Sequence, residues 1–267
     1  MYVQLMTLAM LLLPACVVTA HPGEHEQLAN VERQLERSPT DQSLHIRRGM
    51  AHANMAQYEE ALADYAQAAE LGPPILVAFE RAVVYYRMGE LERAAQYLTE
   101  YQQAFPDNPV AYEYQARIAR DRGDFPAAVA YLQAFIDRHR QPNPGHYLTA
   151  ATMLAQMQKP DEALALLDAG MERLGQVPQL QRYAIALEME QQRPQAALQR
   201  MDAMSETLQR SPRWQMEKVE LLLQAGQPGE ARTMMDALST ALGKARPTPA
   251  NQALQQRLVS LRAAAAQ

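Results

Sequence analysis

The chain of 267 residues has one cysteine, one tryptophan and four phenylalanines. The lone cysteine, Cys16, leaves no disulfide to staple the fold. Buried apolar surface must hold it, and a chain this long can supply enough. Basic residues are not in excess: 25 Lys and Arg stand against 30 Asp and Glu, for a formal net charge of −5. The two signs are intermixed, without the basic stripe a nucleic-acid surface needs, so no nucleic acid is expected as a partner. No β-rich segment of useful length is present. G-x-S-x-G, P-loop and H-E-x-x-H motifs are absent, as are paired carboxylates isolated on an apolar face, so no enzymatic role and no cofactor are expected.

Long hydrophobic runs are also missing. The uncharged stretch from Leu5 to Ala20, centred on Leu11-Leu12-Leu13, is too short for a comfortable membrane span. It fits a secretory signal over residues 1–20, cut after Val18-Thr19-Ala20 and before His21, although Met1-Tyr2-Val3-Gln4 lacks the usual Lys or Arg. An exported, periplasmic location is the expectation. Leu13-Pro14-Ala15-Cys16 is also close to a bacterial lipobox, with an atypical proline in second place. Lipidation of Cys16 would instead give an outer-membrane lipoprotein, anchored to the membrane and assisting assembly of an envelope complex.

What the chain does have is a ladder. Ala61, Ala94, Ala128, Ala163, Ala197 and Ala231 are spaced by 33, 34, 35, 34 and 34 residues. A fixed period of this size marks a solenoid built from one repeated helical unit. Four residues after each alanine stands Tyr65, Leu98, Leu132, Leu167, Met201 or Met235. Seven after stands Ala68, Tyr101, Phe135, Gly170, Met204 or Leu238. Offsets of 0, +4 and +7 draw one stripe along a helix. A second amphipathic segment precedes each, with Tyr112, Gln115, Ala116 and Ala119 on one face in the third repeat and Tyr147, Ala150, Ala151 and Leu154 in the fourth.

Gly89, Gly123 and Gly226 mark the joining turns, where glycine suits a left-handed C-cap. Pro109, Pro144, Pro178 and Pro212 open first helices, and Asn108, Asn143 and Ser211 stand ready to cap them. In the fifth repeat Leu180, Tyr183, Ala184 and Leu187 sit one residue early, which predicts a turn one residue longer.

Two helices per 34 residues with this small/large pattern resembles the tetratricopeptide repeat (TPR) family. Tyr58-Glu59-Glu60-Ala61-Leu62 through Tyr65, Ala68, Leu71 and Pro73 matches best, then Gly89-Glu90-Leu91-Glu92-Arg93-Ala94 through Leu98 and Pro106. Departures are His45 and Ala78 where a bulky residue is usual, and Pro160, Pro194 and Pro228 where an aromatic usually opens the second helix. The resemblance implies an all-α, right-handed solenoid. Residues 21–41 would form a leader and half-repeat helix bearing Leu28, Val31 and Leu35. Residues 42–245 would form six repeats. Residues 246–267 would form a capping helix with Leu254, Leu258 and Leu261 on one face.

The same resemblance implies a non-catalytic scaffold that binds a protein or extended peptide in a concave groove lined by the first helices. Groove positions carry over to Ile46, Met50, Ala53 and Asn54; Phe79, Val83, Tyr86 and Arg87; Glu113, Arg117, Arg120 and Asp121; and Leu148, Thr152 and Gln156. Of these Asn54, Phe79, Tyr86, Arg87, Arg117 and Arg120 are the candidate binding residues, because aromatics and arginine dominate binding hot spots. The carboxylate-clamp subfamily is set aside, since its Lys and Asn would fall at Ile46 and Met50.

Other candidates weigh less. His21 and His25 near the start of a processed chain would offer nitrogen ligands to copper or zinc, the alternative being a polar leader. His45 and His52 fall in packing columns occupied elsewhere by Tyr112 or Tyr147 and by Tyr85 or Leu154, so a hydrogen-bonded core role is expected. His139 and His146 flank the Arg140–Pro144 loop without an evident partner. Met201, Met204 and Met235 share core columns with leucines and are expected to fill the interior.

Overall fold

A computed structural model describes residues 22–264. Among these the secondary structure is helical, without strands, and α-helical apart from a 3-10 turn at Pro74–Val77. After α1 (Pro22–Arg37) come six helix pairs: α2 (Gln42–Asn54) with α3 (Tyr58–Leu71), α4 (Ala78–Arg87) with α5 (Leu91–Ala104), α6 (Pro109–Asp121) with α7 (Phe125–Arg138), α8 (Pro144–Gln156) with α9 (Pro160–Leu174), α10 (Pro178–Glu190) with α11 (Pro194–Asp202), and α13 (Pro212–Gln224) with α14 (Pro228–Lys244). A single turn, α12 (Glu206–Gln209), precedes α13, and α15 (Pro249–Ala264) ends the series. The chain divides into two compact units, one ending at Tyr114 and the other starting at Gln115.

All six ladder alanines are completely buried, and the large residue four positions on is buried in every repeat. The small side chain lets two helices approach while its neighbours fill the space around it. One consequence is visible at Gly170, which takes the +7 place held by Phe135 or Leu238 elsewhere. A Cβ on Gly170 would lie 2.8 Å from the Tyr147 ring and 3.0 Å from Leu180. Here the bulk comes from the facing helix instead.

Each pair is joined by three residues closed in the same way. The N–H groups of Gln57, Glu90, Asp124, Lys159, Arg193 and Gln227 donate to the carbonyls of His52, Tyr85, Ala119, Leu154, Glu188 and Leu222. This is the six-to-one hydrogen bond of a Schellman C-cap, which requires a left-handed residue just before the donor. That residue is Gly89, Gly123 or Gly226 in three repeats, with φ of 79°, 78° and 71°. In the others it is Ala56, Gln158 or Gln192, with φ of 58°, 60° and 57°.

Four expectations need correction. The turn of the fifth repeat is not longer: Gln191–Arg193 has the same three residues as the rest. Its apolar pattern misled because two core columns are polar there, Gln181 standing where Tyr147 stands and Glu188 where Leu154 stands; both are buried. Ser211 makes no side-chain cap. Asp41 and Asp124, not anticipated, do: Asp41 accepts from the N–H groups of Ser43 and Leu44, and Asp124 from that of Ala127. Third, Glu24, His25 and Glu26 are not an irregular leader but belong to the first turns of α1, which starts at Pro22. Finally, the second helix of the fifth repeat ends early at Asp202, and the chain bends through Ala203–Ser205 into α12.

In the first unit α1 packs on α2 through Val31, Leu35 and Leu44. The core then runs through Ala53, Ala61, Tyr65, Ala68, Val77 and Val84. Gly49 on α2 lies against the buried Tyr65 ring, where an added Cβ would come within 2.5 Å. In the second unit the sole tryptophan, Trp214, centres a core that includes Met201, Met204 and Met235. The methionines are therefore core residues as expected. Leu258 of α15 is buried in this cluster, with Leu254 and Leu261 packed against it.

Candidate functional site

In the first unit α2 and α4 leave a cleft of about 150 Å³ between them. Met50, Ala53 and Asn54 face it from α2, and Phe79, Glu80, Val83 and Arg87 from α4, with Tyr65, Val84 and Tyr114 completing the wall. Positions 79, 83 and 87 share one helix face because they recur every four residues.

The rings hold one another in place. Phe79 lies 5.3 Å from Tyr101 and packs edge-on to Tyr114 at 5.4 Å. Tyr114 meets Tyr86 edge-on at 5.8 Å, and Tyr101 meets Phe105 at 4.8 Å. Edge-to-face pairs of this kind add roughly 0.5–1.5 kcal/mol each beyond the area they bury. The result is a stiff aromatic wall, and Met50 stands beside it with 46% of its surface exposed.

Two charged groups border the cleft. The Nη1 of Arg87 donates to the carbonyl of Ala53 at 3.0 Å, which fixes the guanidinium on the last turn of α2. Burial pushes the carboxyl of Glu80 above the usual range, opposed in part by a hydrogen bond from its own backbone N–H. No Lys, Arg or His nitrogen among the described residues lies within ion-pairing distance of it. Sequence reasoning missed Glu80, because a glutamate in the first turn of a helix reads as a solvated residue favoured by the helix dipole.

Of the six candidate binding residues, the structure brings Asn54, Phe79 and Arg87 to this cleft and sets Tyr86 behind it, against Tyr114. Arg117 and Arg120 belong to the second unit. There Arg120 places Nε and Nη2 on the same Asp121 oxygen, at 3.0 and 2.9 Å, and Arg117 is half-buried with contacts of its own. In α8, Thr152 turns its hydroxyl back onto the Leu148 carbonyl, and Gln156 is exposed.

The histidines resolve into structural roles. His45 is buried with Nε2 2.8 Å from the Pro39 carbonyl, and His52 places Nδ1 2.8 Å from the Gln57 side chain. Both approach a buried carboxylate, Asp64: His45 Nδ1 lies 4.0 Å from one oxygen and His52 Nε2 3.8 Å from the other. Arg48 carries the ion pair proper, with Nε and Nη2 at 2.9 and 2.5 Å from Asp64. His139 and His146 pack on Phe135 with centroids 4.9 and 4.5 Å away. Each accepts a backbone N–H at Nδ1, from Gln141 and Asn143 respectively.

A second buried cluster occupies the same columns in the fifth repeat. Glu188 stands where His52 stands, Gln181 where His45 stands, and Arg200 where Asp64 stands, each counted from its ladder alanine. Arg200 Nε lies 3.0 Å from Glu188, and its Nη1 and Nη2 meet Asp168 at 2.5 and 3.0 Å. Gln181 donates to the Arg200 carbonyl. Arg193 Nε sits 3.0 Å from the other Glu188 oxygen, too bent for a hydrogen bond, and its Nη1 reaches Asp161. These charges are bound to one another, which assigns them to packing.

Among the described residues no three His, Cys, Asp or Glu side chains are placed to hold a metal ion, and no helix is long and apolar enough to cross a membrane. His25 is exposed on α1, while His21, Cys16 and the Leu5–Ala20 stretch lie outside the described residues.

Residues 46–109 and 115–178 match the tetratricopeptide repeat family. A search of curated proteins finds no match. Among solved structures the chain is similar to YrrB, described as a TPR protein with an unusual peptide-binding site, at 18% identity and a TM-score of 0.52 over 64% of this chain and 89% of that one. It is similar to MamA from Desulfovibrio magneticus RS-1 at 16% identity and a TM-score of 0.50, over 57% and 86% of the two chains. Against the structure of Naa15/Naa10 bound to HypK-THB, identity is 13% and the TM-score 0.54, covering 90% of this chain and 39% of the other. Identities this low establish a fold and nothing about ligands. The two matched segments belong to the tetratricopeptide repeat family, and the alanine ladder and Schellman turn they carry continue in the helix pairs beyond them.

Proposed function

We propose that the protein is a non-catalytic adaptor that holds a segment of another protein in the cleft between α2 and α4. The observation that carries this reading is the aromatic wall of Phe79, Tyr114 and Tyr86 beside the exposed Met50 and Asn54. Rigid aromatic anchors give large contact area at low entropic cost, and centrally placed ones carry most of the energy of protein interfaces. A flexible methionine next to them adapts to differing side chains. Arg117 and Arg120, which belong to the second unit, are a separate candidate contact and form no part of this cleft. The Leu5–Ala20 stretch supports export to the periplasm as the place of action.

The test is capture of a partner from native envelope extract by the wild-type chain and by a Phe79→Ala/Tyr86→Ala variant whose circular dichroism stays helical. Loss of Phe79 from the lining, and of the Tyr86 ring that backs Tyr114, is expected to weaken binding more than tenfold, the scale of a hot spot. Undiminished capture by the variant would sink the assignment of the cleft.

A further inference from the structure

Resting on the cleft reading above, we propose that its occupant presents a basic side chain, lysine or arginine, to Glu80. Three observations converge on that chemistry.

First, among the described residues Glu80 brings the only carboxylate to the cleft lining, and none of them forms an ion pair with it. Its neighbours there are apolar or aromatic apart from Asn54 and Arg87. A carboxylate half removed from water is costly until a counter-charge arrives, so a cationic occupant gains more here than at a solvated acid. Burial alone already biases this group against its charged form, and a cation reverses that bias.

Second, the shape fits. Ligand pockets for drug-sized molecules run to about 300–1,000 Å³. A cleft of about 150 Å³ holds one side chain of an extended segment instead. Lysine and arginine combine a long aliphatic stem with a charged head. The stem would lie along Met50, Val83 and Phe79 while the head meets Glu80. Phe79 and Tyr114 add the ring faces that attract cations.

Third, the chain's own nearby cation does not do this job. Arg87 lines the same cleft, but its Nη1 is held on the Ala53 carbonyl. It leaves Glu80 unpaired and repels a second basic residue at the rim, so one cation is favoured and a basic cluster is not. An acidic or purely apolar side chain would leave the carboxylate desolvated and unmatched.

A phage-displayed library of random heptapeptides, panned on the full-length chain, tests this. Parallel pannings use the Glu80→Gln and Phe79→Ala variants, each checked for helicity by circular dichroism. The expected result is enrichment of one lysine or arginine per peptide on the wild type, lost on Glu80→Gln. A selected peptide should bind Glu80→Gln at least tenfold more weakly. Replacing its basic residue by norleucine should cost the same factor on the wild type and nothing further on Glu80→Gln. Peptides that depend on Phe79 but show no basic preference, or keep that preference on Glu80→Gln, would overturn this inference and leave the cleft reading standing. Failure to enrich any peptide on the wild type over Phe79→Ala would overturn both.

Discussion

At the scale of single residues, the left-handed position in each turn is the most uniform feature of the chain. Six residues, each five before its ladder alanine, adopt positive φ, and only three are glycine. Side chains with a Cβ pay roughly 1–2 kcal/mol in that conformation. Around Gly123 nothing lies within 4 Å of an added Cβ, so the cost there is purely backbone. Gly123→Ala is expected to lower stability by about 1 kcal/mol, and Gln192→Gly to raise it by up to about the same amount. Urea titrations followed by circular dichroism decide this, and a stabilised Gly123→Ala would contradict the reading.

The glycines of these turns were legible in the sequence because glycine advertises positive φ. Ala56, Gln158 and Gln192 were legible only through the ladder, since their own chemistry says nothing about a left-handed conformation. The groove residues show the same division. Phe79 and Arg87 followed from the family pattern, whereas Glu80 did not, because its consequence depends on what α2 places opposite it.

At the scale of helices and their pairs, the sequence announced almost every element, because period and caps agree along the chain. It failed in the fifth repeat, where two core columns are polar. Periodicity detects apolar stripes, and a buried glutamate ion-paired with Arg193 and Arg200 erases the stripe without moving the helix. The short α11 escaped notice for a related reason: a bend at Ala203–Ser205 leaves Met201 and Met204 buried and the apolar pattern intact.

The Glu188–Arg200 pair can be tested as a unit. Removing one partner strands the other, while replacing both with apolar side chains is often neutral or better. Glu188→Leu alone is expected to cost about 3 kcal/mol, and adding Arg200→Leu to recover a substantial part. Their coupling should fall in the range of about 0.5–3 kcal/mol found for contacting residues. A double variant no more stable than the single one would show that Arg200 answers mainly to Asp168 on α9.

At the scale of the whole molecule, the repeat sets the fold, and the proposed function falls to a small part of its surface. Six pairs share one turn and one core ladder, yet the cleft depends on residues of two helices and two tyrosines beyond them, Tyr65 and Tyr114. Such specialisation is expected where each repeat contacts mainly its neighbours, because a local change is not propagated along the array. The proposed export rests on a different segment, Leu5–Ala20. Intact-mass spectrometry of the mature protein is expected to find a chain starting at His21. A diacylglyceryl group on Cys16 would establish the lipoprotein alternative instead, and an unprocessed Met1 would remove both.

The two buried charge clusters carry one more consequence. Helices cut to one template can in principle dock on the wrong neighbour, a hazard peculiar to arrays of near-copies. In the first repeat the acid, Asp64, is on the second helix and its cation on the first; in the fifth, Glu188 is on the first and Arg200 on the second. Docking α2 against α11 would bury Arg48 and both histidines opposite Arg200, and docking α10 against α3 would set Glu188 against Asp64. Opposite charge at the one matching second-helix position, Asp64 and Arg200, would work against each pair accepting the partner of the other.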